Sequence, residues 1–144
     1  MGAEFTSDMA RETALVMPQL AAIFIAGMAT DAGIELGWDG HGAAELDGLC
    51  DAFLRTRPSR KVKHSMVMAM GAYLGELIVR VSEGRWGYDA DLREAVIETP
   101  DGLQGWPHTK VSKRFEQGER HSLFQYYRYA VHPSQRQAIA SGWG

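Results

Sequence analysis

Residues 60–82 read RKVKHSMVMAMGAYLGELIVRVS, and the way this stretch is read decides the fold. Met66, Val67, Met70, Leu74, Leu77, Ile78 and Val81 recur at three- and four-residue steps, the period of a helix with one apolar side. The spacing predicts a helix from Arg60 to Ser82. Gly71 and Gly75, four apart, leave a shallow stripe where another backbone can come close. In a bilayer that spacing would pair helices, but Glu76 interrupts the charge-free run that starts at Ser65, so packing within a soluble protein is the better reading. A carboxylate buried there needs a partner, and Arg80, one turn on, is well oriented to supply it. The competing reading sets Glu76 at the lip of a pocket with Tyr73 and Trp86.

Downstream, the period changes after Gly84. Arg85–Tyr88 and Ala95–Thr99 read as short strands. Pro100-Asp101-Gly102 is a turn with a mechanism, since proline presets one torsion and glycine accepts positive φ. Leu103–Trp106 returns as the partner strand, and Pro107 suits the first turn of a helix to about Gln117. Ser122–Val131 is a last helix, rich in Phe124, Tyr126, Tyr127 and Tyr129, and 133–144 is expected to be a loosely held tail.

Upstream, a helix capped by Ser7 or Asp8 runs toward Asp31, with a bend expected at Pro18 and a stop at Gly33. Gly33–Gly42 is a glycine-rich loop. A short helix over Ala43–Leu54 sets Leu46, Leu49, Cys50 and Phe53 inward, and Glu45, Asp47 and Asp51 outward as an acidic face. Met1–Phe5 read as a leader outside the fold, of the kind an expression vector leaves. The whole is one α+β domain over residues 6–132: three helices, a small antiparallel sheet, two helices.

The 144 residues are 45% hydrophobic and 23% charged, which excludes wholesale disorder and a multi-span membrane protein. The single cysteine, Cys50, cannot bridge within the chain and fits a reducing cytoplasm. From Thr13 to Thr30 there is no charge, a length at the lower edge of a membrane span. Pro18, Gln19 and Gly27 interrupt it, acids flank it, and only Arg11 precedes it, so neither a span nor a signal peptide is expected. Val16, Leu20, Ile23, Phe24, Gly27 and Met28 keep helical spacing, and a buried core helix is the expectation.

Charge is split along the chain. Residues 1–54 hold nine acidic groups against one basic, and residues 55–144 hold fourteen basic against nine acidic. The two parts can attract each other inside one fold, or present a surface to a partner. Arg55, Arg57, Arg60, Lys61 and Lys63 form one basic group, and Lys110, Lys113, Arg114 and Arg120 a second. Neither interleaves aromatics, and the chain is acidic overall, so nucleic acid is not the expected partner.

Phosphate-loop, zinc-protease, C-x-x-C and nucleophile-elbow motifs are all missing, so the sequence names no catalytic residue, cofactor or metal. Asp31, Glu35, Asp39 and His41 match no calcium loop and read as a solvated acidic loop. Cys50 on an apolar side behaves as a small hydrophobe, and nothing local pairs it with a histidine.

Three blocks carry a resemblance: Gly71-Ala72-Tyr73-Leu74-Gly75-Glu76 with Arg80, then Gly84-Arg85-Trp86, then Pro107 with Lys110-Val111-Ser112-Lys113-Arg114. In this order they resemble uncharacterised bacterial domains, mainly actinobacterial, with a G-A-Y-[LV]-G-E helix, a G-x-W strand and a P-x-x-K-V-x-K-R helix. The likeness spans roughly residues 15–130. It implies a cytoplasmic α+β domain and brings no activity with it.

The candidate binding residues are therefore Tyr73, Glu76, Arg80, Trp86, Lys110, Lys113 and Arg114. The leading expectation is a noncatalytic protein-binding module, an adaptor or a toxin-neutralising immunity protein. The alternative is a small-ligand domain or an enzyme acting on an anionic substrate near Glu76. The sequence leaves the oligomeric state open.

Overall fold

A computed structural model describes residues 2–139. Five helices and a four-stranded antiparallel sheet make an α+β fold, with three helices before the main strands and two after them. The helices are α1 (Asp8–Ala32), α2 (Gly40–Arg55), α3 (Arg60–Ser82), α4 (Pro107–Gln117) and α5 (Leu123–Val131). The strands are β1 (Ala3–Glu4), β2 (Arg85–Asp89), β3 (Glu94–Glu98) and β4 (Gln104–Gly105), in that order across the sheet.

Each helix begins or ends where its local chemistry dictates. The Ser7, Asp39, Ser59 and Ser122 side chains accept a backbone N–H at the starts of α1, α2, α3 and α5. Proline opens α4. Gly33, at φ 67°, closes α1 in the left-handed region, and Glu83, at φ 61°, closes α3. The glycine beside it, Gly84, is needed for space instead, since a Cβ there would stand 2.5 Å from the Glu98 carbonyl oxygen. Pro18 lies inside one continuous helix, and the carbonyl it leaves without a donor, on Ala14, belongs to an exposed residue that water can reach.

Helix α3 is the axis of the molecule: Met70 through Ile78 are buried without a break. Helix α1 lies along it, α4 packs between it and the sheet, and α2 with α5 closes the remaining side. β2 and β3 pair from Arg85↔Glu98 to Asp89↔Glu94, and β3 turns through Pro100–Gly102 into β4.

Three sequence expectations change. The leader is part of the fold: Ala3 and Glu4 pair with Asp89 and Tyr88, and the Arg85 guanidinium stacks on Phe5. The tail expected to hang from Pro133 is tied down through Ile139, with Ile139 buried and Arg136 paired to Asp101; its last residues, 140–144, lie outside the described residues. Helix α1 is buried on one side only. Its covered positions are Ala10, Thr13, Met17, Ala21 and Phe24, whereas Ile23 faces outward and Val16 is only partly covered.

Candidate functional site

Four of the seven candidate residues meet at one place. Glu76, 6% exposed, accepts a hydrogen bond from the Trp86 indole N–H at 2.9 Å on one oxygen and from Arg80 Nε at 2.8 Å on the other. The Arg80 guanidinium then lies over the Trp38 ring, its carbon 3.6 Å from the centroid. Tyr73 is fully buried and donates its hydroxyl proton to the Gly37 carbonyl, and burial pushes its pKa upward. The glycines explain this packing. A Cβ on Gly75 would stand 2.1 Å from the Trp86 ring, one on Gly71 2.3 Å from the His108 ring, and one on Gly42 1.9 Å from the Tyr73 hydroxyl. The stripe on α3 thus receives side-chain rings where the sequence suggested a backbone. Residues of the first two sequence blocks, with Pro107 of the third, touch one another here, and both Glu76 oxygens are taken.

The basic candidates form a second structural node. Arg114 is buried, and it donates from Nε to Asp47 at 3.0 Å and from one amino group to Asp51 at 2.9 Å. Asp47 also accepts the backbone N–H groups of Leu123 and Phe124 at 2.8 Å and 3.1 Å and the Ser122 hydroxyl at 2.8 Å. One carboxylate therefore caps α5 and anchors α4. Burial works against the Arg114 charge, and its bonds to Asp47 and Asp51 more than restore it. The presumed outward acidic face of α2 is in part this internal contact, where the acidic first third of the chain meets the basic remainder.

Lys110 is only 2% exposed, with Nζ 3.2 Å from His121 Nδ1, and burial, then Lys113, bring its ammonium down to about 8. Lys113 is half-buried. With Lys110 and Arg114 inside, the second basic group is no surface track for phosphates. Burial also lifts the Cys50 thiol to about 12, which removes it as a nucleophile at neutral pH. Asp39 is spent capping α2, and among the described residues no three histidine, cysteine or acidic side chains converge on one point. Tyr126 and Tyr127 of the aromatic helix point into the core.

What remains accessible lies elsewhere. The outer face of α1 carries Leu15, Gln19, Ala22, Ile23 and Ala26 at helical spacing, all exposed, with Leu15 at 69% and Ile23 at 67%. Charge is missing from the helix between Glu12 and Asp31. On the other flank of α1, a cleft of about 440 Å³ opens between α1, α3, α4 and the β2–β3 turn, with Met17, Met68 and His108 in its wall. His108 is 7% exposed, and its Nε2 has no hydrogen-bond partner. Burial brings its pKa down to about 4, against a smaller opposing pull from the Met68 carbonyl, so the ring is neutral at pH 7.

Neither feature was visible in the sequence. The α1 run was legible as helical and apolar, but nothing local says which side finds cover. His108 has no motif around it, and its burial depends on Gly71, far away in the chain. No protein-family model matches this chain, and no curated protein or solved structure matches it either.

Proposed function

We propose that the chain is a noncatalytic protein-binding module, of the adaptor or toxin-neutralising kind, working in a reducing, cytoplasmic setting. The observation that carries this reading is the bare outer face of α1: five turns of helix without charge that expose Leu15 and Ile23, in a protein whose other long apolar helix is covered from Met70 to Ile78.

The ends of the strip favour one kind of occupant. Asp8 and Glu12 stand at its start, and Asp31 and Glu35 beyond its end, with Arg11 the one cation nearby. Among the described residues no ion pair holds Glu12, Asp31 or Glu35. A second copy would set acids against acids whether the helices ran parallel or antiparallel. An anionic bilayer would repel the same ends, although α1 and α3 are both long and apolar enough to cross a membrane by length and composition. A protein surface with an apolar centre and a basic rim suits both the strip and its ends. The alternative, a ligand at Glu76, would have to reach a carboxylate that is buried and already accepts from Trp86 and Arg80.

Co-purification from the native host at low and high ionic strength tests the reading. The expected result is a stoichiometric protein complex that weakens with salt and is lost in a Leu15→Glu/Ile23→Glu variant of unchanged thermal midpoint. A protein that stays alone at every ionic strength, or a complex indifferent to those two substitutions, overturns it.

A further inference from the structure

The cleft beside α1 does not end at its apolar basin. It shares His64, Val67 and Ser112 with a second hollow of about 590 Å³ whose wall includes Arg60 and Lys63, so the two hollows adjoin along α3. Arg60, Lys63, His64, Val67, Met68 and Gly71 lie at three- and four-residue steps along one side of α3, a line about 16 Å long at the rise of a helix. The line starts at exposed cations and ends where the His108 ring rests on Gly71.

The chemistry changes along that line. At the inner end, Met9, Val16, Met17 and Met68 give an apolar and adaptable wall. Of the charged groups there, Glu94 accepts the Thr109 hydroxyl, and Glu12 and Arg93, of opposite sign, sit on the exposed rim. The buried His108 ring adds no charge to the floor. At the outer end, Arg60 and Lys63 face one carboxylate, Glu116, and among the described residues no ion pair holds either cation. Volume, shape and this gradient match a small molecule with one apolar and one anionic end.

We propose that this groove binds a small amphipathic anion, an alkyl chain ending in a carboxylate. The chain lies in the basin between α1 and α3, and the head meets Arg60, Lys63 and His64. The site shares only Glu12, at the strip's end, with the outer face of α1, so it stands independently of the protein-binding reading.

The test is calorimetric titration of the full chain with decanoate at low ionic strength, below the concentration at which decanoate self-associates. Amide shifts are followed by NMR, and decanol serves as the uncharged match. The expected result is saturable one-to-one binding of decanoate, with shifts centred on Val67, Met68 and His108 and decanol at least tenfold weaker. An Arg60→Glu/Lys63→Glu variant, altered only at exposed positions, should bind decanoate at least tenfold more weakly at an unchanged thermal midpoint. Met68→Glu, which places a carboxylate in the basin, should do the same. Absence of saturable binding, equal affinity for decanol, indifference to both variants, or binding to phosphatidylglycerol vesicles without binding to monomeric decanoate would each overturn the proposal.

Discussion

Helices α1 and α3 begin as the same kind of object, long and apolar with few charges, yet α3 is covered over Met70–Ile78 and α1 leaves a whole side open. The difference lies in what each offers its neighbours. Helix α3 has glycines at 71 and 75 that admit the His108 and Trp86 rings, and a carboxylate at 76 whose two oxygens meet Trp86 and Arg80. Helix α1 has one glycine mid-helix, Gly27, and a Cβ there would meet nothing within 4 Å. Glycines that admit rings and a lone charge inside an apolar helix therefore mark a face already engaged, whereas a charge-free face that exposes Leu15 and Ile23 can still be waiting for a partner.

The sharpest way to break that contrast is at Gly75. Gly75→Ala forces a Cβ into the Trp86 ring and Pro107, and should cost about 3 kcal/mol or more by overpacking, read by urea unfolding. Glu76→Ala strands the buried Trp86 N–H while the half-exposed Arg80 rehydrates, for a loss of about 2–3 kcal/mol. A Glu76→Gln variant keeps an acceptor for Trp86 and should lose less. If either alanine variant were neutral, the core role assigned to this face of α3 would fail.

Acid tests the same face from its other ring. The His108 pKa is about 4 when folded, below the ordinary 6.5, so the unfolded chain binds the extra proton first. Stability is therefore retained above about pH 6.5 and lost as pH falls toward 4, by roughly 2 kcal/mol between pH 7 and pH 5. His121, lowered by burial and then by Lys110, adds in the same direction. Asp101, held near 2 by Arg136 and Thr99, acts only at lower pH. A His108→Phe variant should flatten most of the slope, and an unchanged slope would show that the ring is not held neutral by burial.

On α1 the expected effects are small and some reverse in sign. Gly27→Ala meets no obstacle and should stabilise by about 0.5–1 kcal/mol through helix propensity. Leu15→Glu with Ile23→Glu should change stability by less than about 0.5 kcal/mol each, as exposed positions do. A large loss in either would mean that the outer face is already packed.

Much of the fold could be read from the chain because the deciding signals are local. The bounds of α3 follow from its period, α4 begins at Pro107, and the β3–β4 turn is written in Pro100-Asp101-Gly102. The unread parts are pairings over distance. Two-residue β1 finds β2 more than eighty positions away, and Asp47 finds Arg114 sixty-seven residues on. Such contacts leave no spacing pattern, so Asp47 looked like part of a solvated acidic face and Arg114 like part of a basic one. The Glu76–Arg80 bridge was legible, being one helical turn apart; the Trp86 bond on the other oxygen was the further reading only structure supplies.

The most direct test of the central claim is site-specific photo-crosslinking in the native host, with the crosslinking residue placed at Ile23 on the strip or at Leu92, also well exposed but on the β2–β3 turn. A discrete adduct with one protein from Ile23, weakened by salt and missing from Leu92, is the predicted result. Adducts identical from both positions, adducts with lipid alone, or none from Ile23 would contradict the account.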